Sequence, residues 1–344
     1  MGFFDESGGE RLDSLESLAQ VESGGIPLAA QSRLHELLGA GAPFTSTLGI
    51  GEFALLTELG CVPLGQVLGA SVHHVGRQYL PAAAQWGGGE VFCSLDQVAT
   101  AWSDARERAF ARLGQEASAL GADAVVGVRL RRGEQDWAKG VVDYVVTGTA
   151  IRAAHEGPGA ADPRRGLGER PAGRRQVVLS DLSGQEYWTL ARAGWAPAAL
   201  VAATSVMFVS QSLPTQWRRR RQVTRTQEYD EFTRGFAAGR ASAAGQLRRQ
   251  ARAAGASGII GVSFEHRVAA GRVRVGVTGA ISSGLSPTTI AMGAEPLRGK
   301  DRREGIMVTI QATGTAVTRR SAGGPLRPAA VLSLVAGART GGGR

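Results

Sequence analysis

Cysteine, lysine and long apolar runs are the scarce ingredients of this chain, and each scarcity excludes something. Cys61 and Cys93 are its only cysteines, too few for a disulfide framework or a four-cysteine zinc module, so a reducing compartment is expected. Of the 39 basic side chains only Lys139 and Lys300 are lysines. A formal charge of +9 carried almost wholly by arginine reflects base composition as readily as an acidic partner. The longest apolar stretches, Ala198 to Val209 and Ala329 to Ala338, fall short of the roughly 20 residues that span a bilayer. The beginning, MGFFDESGGERLDSLESLA, is acidic and lacks the basic-then-apolar order of a signal peptide, and Glu6 breaks the myristoylation pattern. A soluble cytoplasmic protein without a membrane partner is the expectation. No GxGxxG follows a strand, and there is no GxxxxGK[ST], G-x-S-x-G, H-E-x-x-H or Ser/His/Asp set, so nothing suggests an enzyme.

What the chain does have is a repeat. GADAVVGVRL at Gly121 to Leu130 returns as GASGIIGVSF at Gly255 to Phe264. An offset of 134 residues aligns Ser46 to Leu130 with Ser180 to Phe264 without a gap, and about 20 of the 85 positions are identical. Glu52/Glu186, Gly60/Gly194, Pro63/Pro197, Val67/Val201, Ser71/Ser205, Asp96/Asp230, Arg106/Arg240 and Gly127/Gly261 are among the pairs. Thr147-Gly-Thr-Ala matches Thr313-Gly-Thr-Ala at an offset of 166, so the second copy carries about 32 further residues before its last strand.

Each copy reads as a short helix followed by strand, long helix, strand and strand. Ser183 to Glu186 has the capping-box spacing, and Gly194 stands where a left-handed C-cap belongs; Gly49, Glu52 and Gly60 match in the first copy. Pro63 to Val75 and Pro197 to Val209 are rich in Val, Ser and Thr and read as strands. Asp96 and Asp230 are placed to N-cap long helices whose apolar stripes run Val98, Trp102, Ala109, Leu113, Ala117 and Phe232, Phe236, Ala243, Leu247, Ala251. Arg106, Arg108, Arg248, Arg249 and Arg252 are read as lying mostly on other faces. Gly121 and Gly255 end the helices, and Gly127 and Gly261 suggest bulges in the next strand.

The fold class is therefore α+β: two tandem domains, each a small antiparallel sheet of three strands covered by one long helix, its other face left for a partner. The expected organisation is an N-terminal extension at 1–43, with 1–25 disordered and a helix over 26–38, then a first domain at 44–154. A linker follows at 155–175 and a second domain at 176–321, interrupted by a hairpin insertion near 284–305. A tail completes the chain at 322–344.

PLGQVLGASV, the helix running into ALGADAVVGVRL, and the closing VTGTAI together make the first copy similar to the YbjQ-like family, a heavy-metal-binding domain by description. The second copy departs from it, with Trp195-Ala-Pro-Ala-Ala-Leu for Cys61-Val-Pro-Leu-Gly-Gln and Ser257-Gly258 for Asp123-Ala124. The resemblance implies a dodecin-like strand-helix-strand-strand fold, closed rings of single-domain relatives, and a transition or heavy metal ion as the cofactor. It implies no catalytic residues. Two fused copies are compatible with one ring of alternating copies or with two stacked rings.

Candidate ligands are few. His73 and His74 carry the imidazoles that transition metals favour, yet neighbours on a strand point to opposite faces, and Met207 and Phe208 replace them in the second copy. Packing is the simpler role, unless histidines from several subunits converge with Cys93. Cys93 is read in a loop before the long helix, where a helix N-terminus would lower its pKa. Trp217 with Arg218, Arg219, Arg220 and Arg221 could grip single-stranded nucleic acid, though no recognition motif accompanies this loop. The leading reading is a non-enzymatic homo-oligomer that binds a metal; a nucleic-acid-associated protein and a dodecin-like small-molecule store are the alternatives.

Overall fold

The computed structural model describes residues 15–39, 41–76, 91–134, 140–153, 176–210, 228–274 and 302–319. They form a mixed α+β structure. A helical stretch at 15–22 precedes α1 (Leu28–Leu38), α2 (Ile50–Glu58), β1 (Val62–His74), β2 (Val91–Ser94), α3 (Asp96–Ala119), β3 (Ala124–Glu134) and β4 (Val141–Arg152). The second half continues with β5 (Val178–Leu179), α4 (Gly184–Arg192), β6 (Trp195–Ser210), α5 (Asp230–Ala253), β7 (Gly258–Arg274) and β8 (Arg302–Arg319). Residues 154–175, which include the linker expected at 155–175, lie outside the described residues, as do 275–301 and 320–344.

The capping box, the helix-ending glycines and the bulges read from the sequence are where they were expected. Ser183 accepts from the Glu186 amide while Glu186 reaches back to the Ser183 amide, which fixes the start of α4. Gly60, Gly121, Gly194 and Gly255 all have positive φ after a helix, the conformation a left-handed cap requires. Gly127 and Gly261 have φ of 62° and 63°, and the pairing register slips at Val126/Arg129 and at Ile260/Ser263, so both strands bulge at the same place.

Three expectations need correction. Asp96 and Asp230 are the first helical residues; Leu95 and Tyr229 hold the N-cap positions without a side-chain cap bond. A carboxylate there still meets the positive end of the helix dipole. The N-terminal extension is helical at 15–22, where disorder was expected. The sheets have four strands, in the orders β1-β4-β3-β5 and β2-β6-β8-β7, because each half lends the other a short strand.

Each long helix lies along one face of its own sheet. In the first half Ala105, Ala109, Leu113 and Ala117 of α3 pack with Val67, Val142, Tyr144 and Val146. The approach is so close that a Cβ at Gly69 would overlap the Ala109 carbonyl. In the second half Ala243, Leu247 and Ala251 of α5 pack with Val201, Ala203, Met207, Val308 and Ile310. Alternation along β6 leaves Leu200, Ala202, Thr204, Val206 and Phe208 facing away from α5. That face is covered too: Val206 and Phe208 cluster with Leu95 and Val98, with Trp102 packed against them. Helix α3 is thus enclosed between the two sheets.

Candidate functional site

The most developed polar site lies where the first half meets the second. Arg106 projects from α3 across the junction, donating from Nη1 to Thr204 Oγ1 at 2.6 Å and from Nη2 to the Ala202 carbonyl at 3.0 Å. Only 2% of it is exposed, and burial draws its guanidinium below the ordinary pKa while Tyr144 opposes the shift. Gln311 of β8 donates to the Tyr144 hydroxyl, whose pKa burial raises. Arg132 of β3 lies 4.5 Å from the centre of the Trp102 ring. A charged side chain is seldom left this deep without hydrogen bonds. Here they come from the other half, so the guanidinium ties the halves together.

Two borrowed strands complete the junction. β2 pairs antiparallel with the end of β6, setting Cys93 opposite Phe208 and Ser94 opposite Met207. β5 runs parallel to β3, and the exchange extends beyond it: Ser180 N donates to the Val125 carbonyl at 2.9 Å, Gly127 N to Leu182 at 2.8 Å and Val128 N to Ser180 at 3.0 Å. Such edge pairing satisfies backbone groups that would otherwise face water. Underneath, Ser180 Oγ lies 3.1 Å from Thr315 Oγ1, which also donates to Asp181. Burial raises the Asp181 pKa. Ser46 and Thr47 make the corresponding contacts with Thr149. Gly184 sits where a Cβ would come within 2.7 Å of the Glu52 Cβ, and its lack of one lets α4 ride on α2.

The residues singled out as metal ligands are dispersed. His73 points toward α3, 3.5 Å from Ser71 Oγ; burial first, then Arg108, lowers its pKa, which leaves the neutral imidazole favoured. His74 is exposed on the opposite face, in register with Val141. Cys93 belongs to β2 and not to a loop, and its thiol is pushed up to about 11 by burial, with Asp96 adding to the effect. The helix N-terminus does not produce the low pKa expected for it. Among the described residues no three His, Cys, Asp or Glu side chains gather as a metal site. The donors described in one chain therefore do not fit a bound ion. Trp217 and Arg218 to Arg221 lie outside the described residues. A cleft of about 1010 Å³ between α3 and β6, lined by Phe110, Gln115, Val177 and Leu200 among others, offers room for a small molecule.

The sequence reading missed Arg106. A signal was there: it falls between Trp102 and Ala109 on the apolar stripe of α3, and its counterpart is again arginine, Arg240. In Arg106 the charge among apolar neighbours on the helix marks a position with a partner beyond its own sheet. Gln311 and Tyr144 carried no comparable mark.

Residues 63–154 match the family described as "Putative heavy-metal-binding", the YbjQ-like family. Over 244 residues the chain is 35% identical to the "Encapsulin nanocompartment protein Rv1762c" of Mycobacterium tuberculosis, a match that covers 71% of this chain and 85% of that protein. No solved structure matches. Among the described residues no helix is long and apolar enough to cross a membrane.

Proposed function

Because the chain belongs to the family of the Mycobacterium tuberculosis encapsulin nanocompartment protein, we propose that it is a non-enzymatic, self-assembling structural protein of such a compartment, built from two tandem YbjQ-like units. One observation carries this reading: among the described residues, the outer face of the first sheet lacks the cover that its counterpart has. Leu68, Val72 and His74 lie exposed on that face, while the same face of the second sheet is roofed by α3. A sheet with one apolar face open to water is completed by association. Light scattering on the purified chain at micromolar concentration tests this, with a uniform multimer expected. A stable single-chain particle would remove the proposal.

The family description supports a heavy or transition metal as a ligand, with His73, His74 and Cys93 as the residues to examine. With no complete donor set described in one chain, an ion would need donors from more than one. Elemental analysis after native purification, repeated on His73→Ala and Cys93→Ser, checks it. Metal content unchanged in both variants rejects these ligands.

A further inference from the structure

The inner junction is built from residues that recur in the sequence at an offset of 134. Because the two halves repeat in sequence, many of the contacts that the first half makes on the second have counterparts among the described residues that the second half offers to a further copy. The burial of matched residues divides along this line. Val206 is 0% exposed and its counterpart Val72 is 61%; Ala202 is 4% and Leu68 is 41%; Val128 is 5% and Val262 is 42%. Arg106 is buried, whereas Arg240 is exposed. Among the described residues the second half thus presents an exposed donor surface, made by α5, where Arg240 lies over Phe264, and the edge of β7, and the first half presents an exposed acceptor surface, made by the outer face of β1 and β4.

We propose that these two surfaces bind each other between successive chains, head to tail, with Arg240 of one chain entering the outer face of the first sheet of the next. The inference rests on the self-assembly reading and specifies its geometry. In the inner junction, Arg106 reaches the Ala202 carbonyl and the hydroxyl of Thr204; the matching groups are the Leu68 carbonyl and Ala70. The edge at Leu68 shares part of this arrangement, with Arg33 of α1 added at Glu116 and at the Gln66 carbonyl. Glu116 Oε2 accepts from the Leu68 amide at 2.8 Å, as Gln250 Oε1 accepts from Ala202 at 2.9 Å. Arg112 donates to the Ala70 carbonyl at 2.6 Å, as Gln246 does to Thr204 at 3.2 Å. With its amide turned outward to Glu116, Leu68 directs its carbonyl to the same edge.

The donor surface is likewise partly preformed. His266 stacks edge-on to Phe236 at 5.4 Å, the positions at which Arg132 covers Trp102 in the first half. The buried polar pair Tyr144 and Gln311 becomes Ile310 and Val145, so both partners change to apolar together. Along the strand edges, Ser46 and Leu48 stand for Ser180 and Leu182, and they meet Ile259, Gly261 and Val262 of the neighbour as a parallel addition. One place must differ. Ile50 replaces Gly184, so the outer pair of short helices sits farther apart than α2 and α4. Since acceptor and donor are different surfaces, the contact is heterologous and propagates until it closes into a ring.

A complementation experiment tests the proposal. Val72→Glu disables the acceptor and Arg240→Glu the donor; both positions are exposed, so each variant is expected to keep the native circular dichroism spectrum. Alone, each loses the multimer, its apparent dissociation constant rising by about 30-fold or more. Mixed in equal amounts, the two retain one competent acceptor and one competent donor, and a two-chain particle forms. Val262→Pro, which removes an outward amide at the bulge, serves as a second donor variant should Arg240→Glu misfold. A wild-type multimer indifferent to these substitutions, or a mixture that yields no two-chain particle, overturns the head-to-tail contact and leaves self-assembly standing. A wild-type protein that remains a single chain overturns both.

Discussion

Arg106 and Arg240 show how one residue type at one repeat position acquires two energetic roles. With Arg106 buried, truncation leaves the Thr204 hydroxyl and the Ala202 carbonyl without their cross-junction donor. Arg106→Ala is expected to lower stability by about 2–3 kcal/mol in urea denaturation. The gain is not larger because, among the described residues, Arg106 Nε has no partner. Arg240→Ala in dilute single chains should change stability by less than about 0.5 kcal/mol, as an exposed position does. Cys93 gives a second prediction at this scale. With its thiol at about 11 against an ordinary 9.0, the thiolate is scarce near pH 8. Alkylation there should run on the order of a hundredfold slower than in the unfolded chain, as peptide mapping by mass spectrometry would show. The sign for stability follows: the protonated thiol is favoured in the fold, so its contribution is complete below pH 9 and is lost as the pH rises toward 11. Alkylation of the folded chain at the unfolded rate would contradict the burial of this sulfur.

Helix-on-strand packing shows what a sequence can and cannot disclose about elements. The caps at Ser183, Gly60, Gly121 and Gly194, the bulges at Gly127 and Gly261, and the stripes of both long helices were legible, because each is a local rule written at fixed spacing. The exchanged strands were not. β2 has four residues and β5 two, too few for any period to show, and their partners lie in the other half of the chain. Cys93 was misplaced for that reason. Close packing was only half legible as well. In the first half the small residue is on the strand, Gly69 against the Ala109 carbonyl; in the second the strand carries Ala203, and the helix supplies Gly235 and Gly239 against Val209, Met207 and Ile310. Gly69→Ala should therefore force α3 off β1 and cost about 3 kcal/mol. Ala203→Gly, which removes a methyl group from a buried wall, should cost nearer 1 kcal/mol. Thermal unfolding of the two variants compares them directly, and equal shifts would mean that the two helices do not sit on their sheets as described.

At the scale of the whole molecule, the contacts across the junction are expected to hold the halves together without the peptide connection between them. Arg106 is hydrogen-bonded in the second half, β2 is a strand of the second sheet, β5 extends the first, and the cluster of Leu95, Val98, Val206 and Phe208 draws on both. Interfaces of this kind, with an apolar centre and edge strands on either side, are retained when the chain joining them is cut, because the linker contributes mainly effective concentration. A protease site introduced between 155 and 175 should therefore yield two fragments on a denaturing gel and an unchanged particle mass in native mass spectrometry. The same cleavage in an Arg106→Ala background should release free halves at low protein concentration, since that substitution removes the charged tie at the centre of the junction. Separation of the wild-type fragments on simple dilution to nanomolar concentration would show instead that the connecting chain, and not the junction, keeps the halves in register.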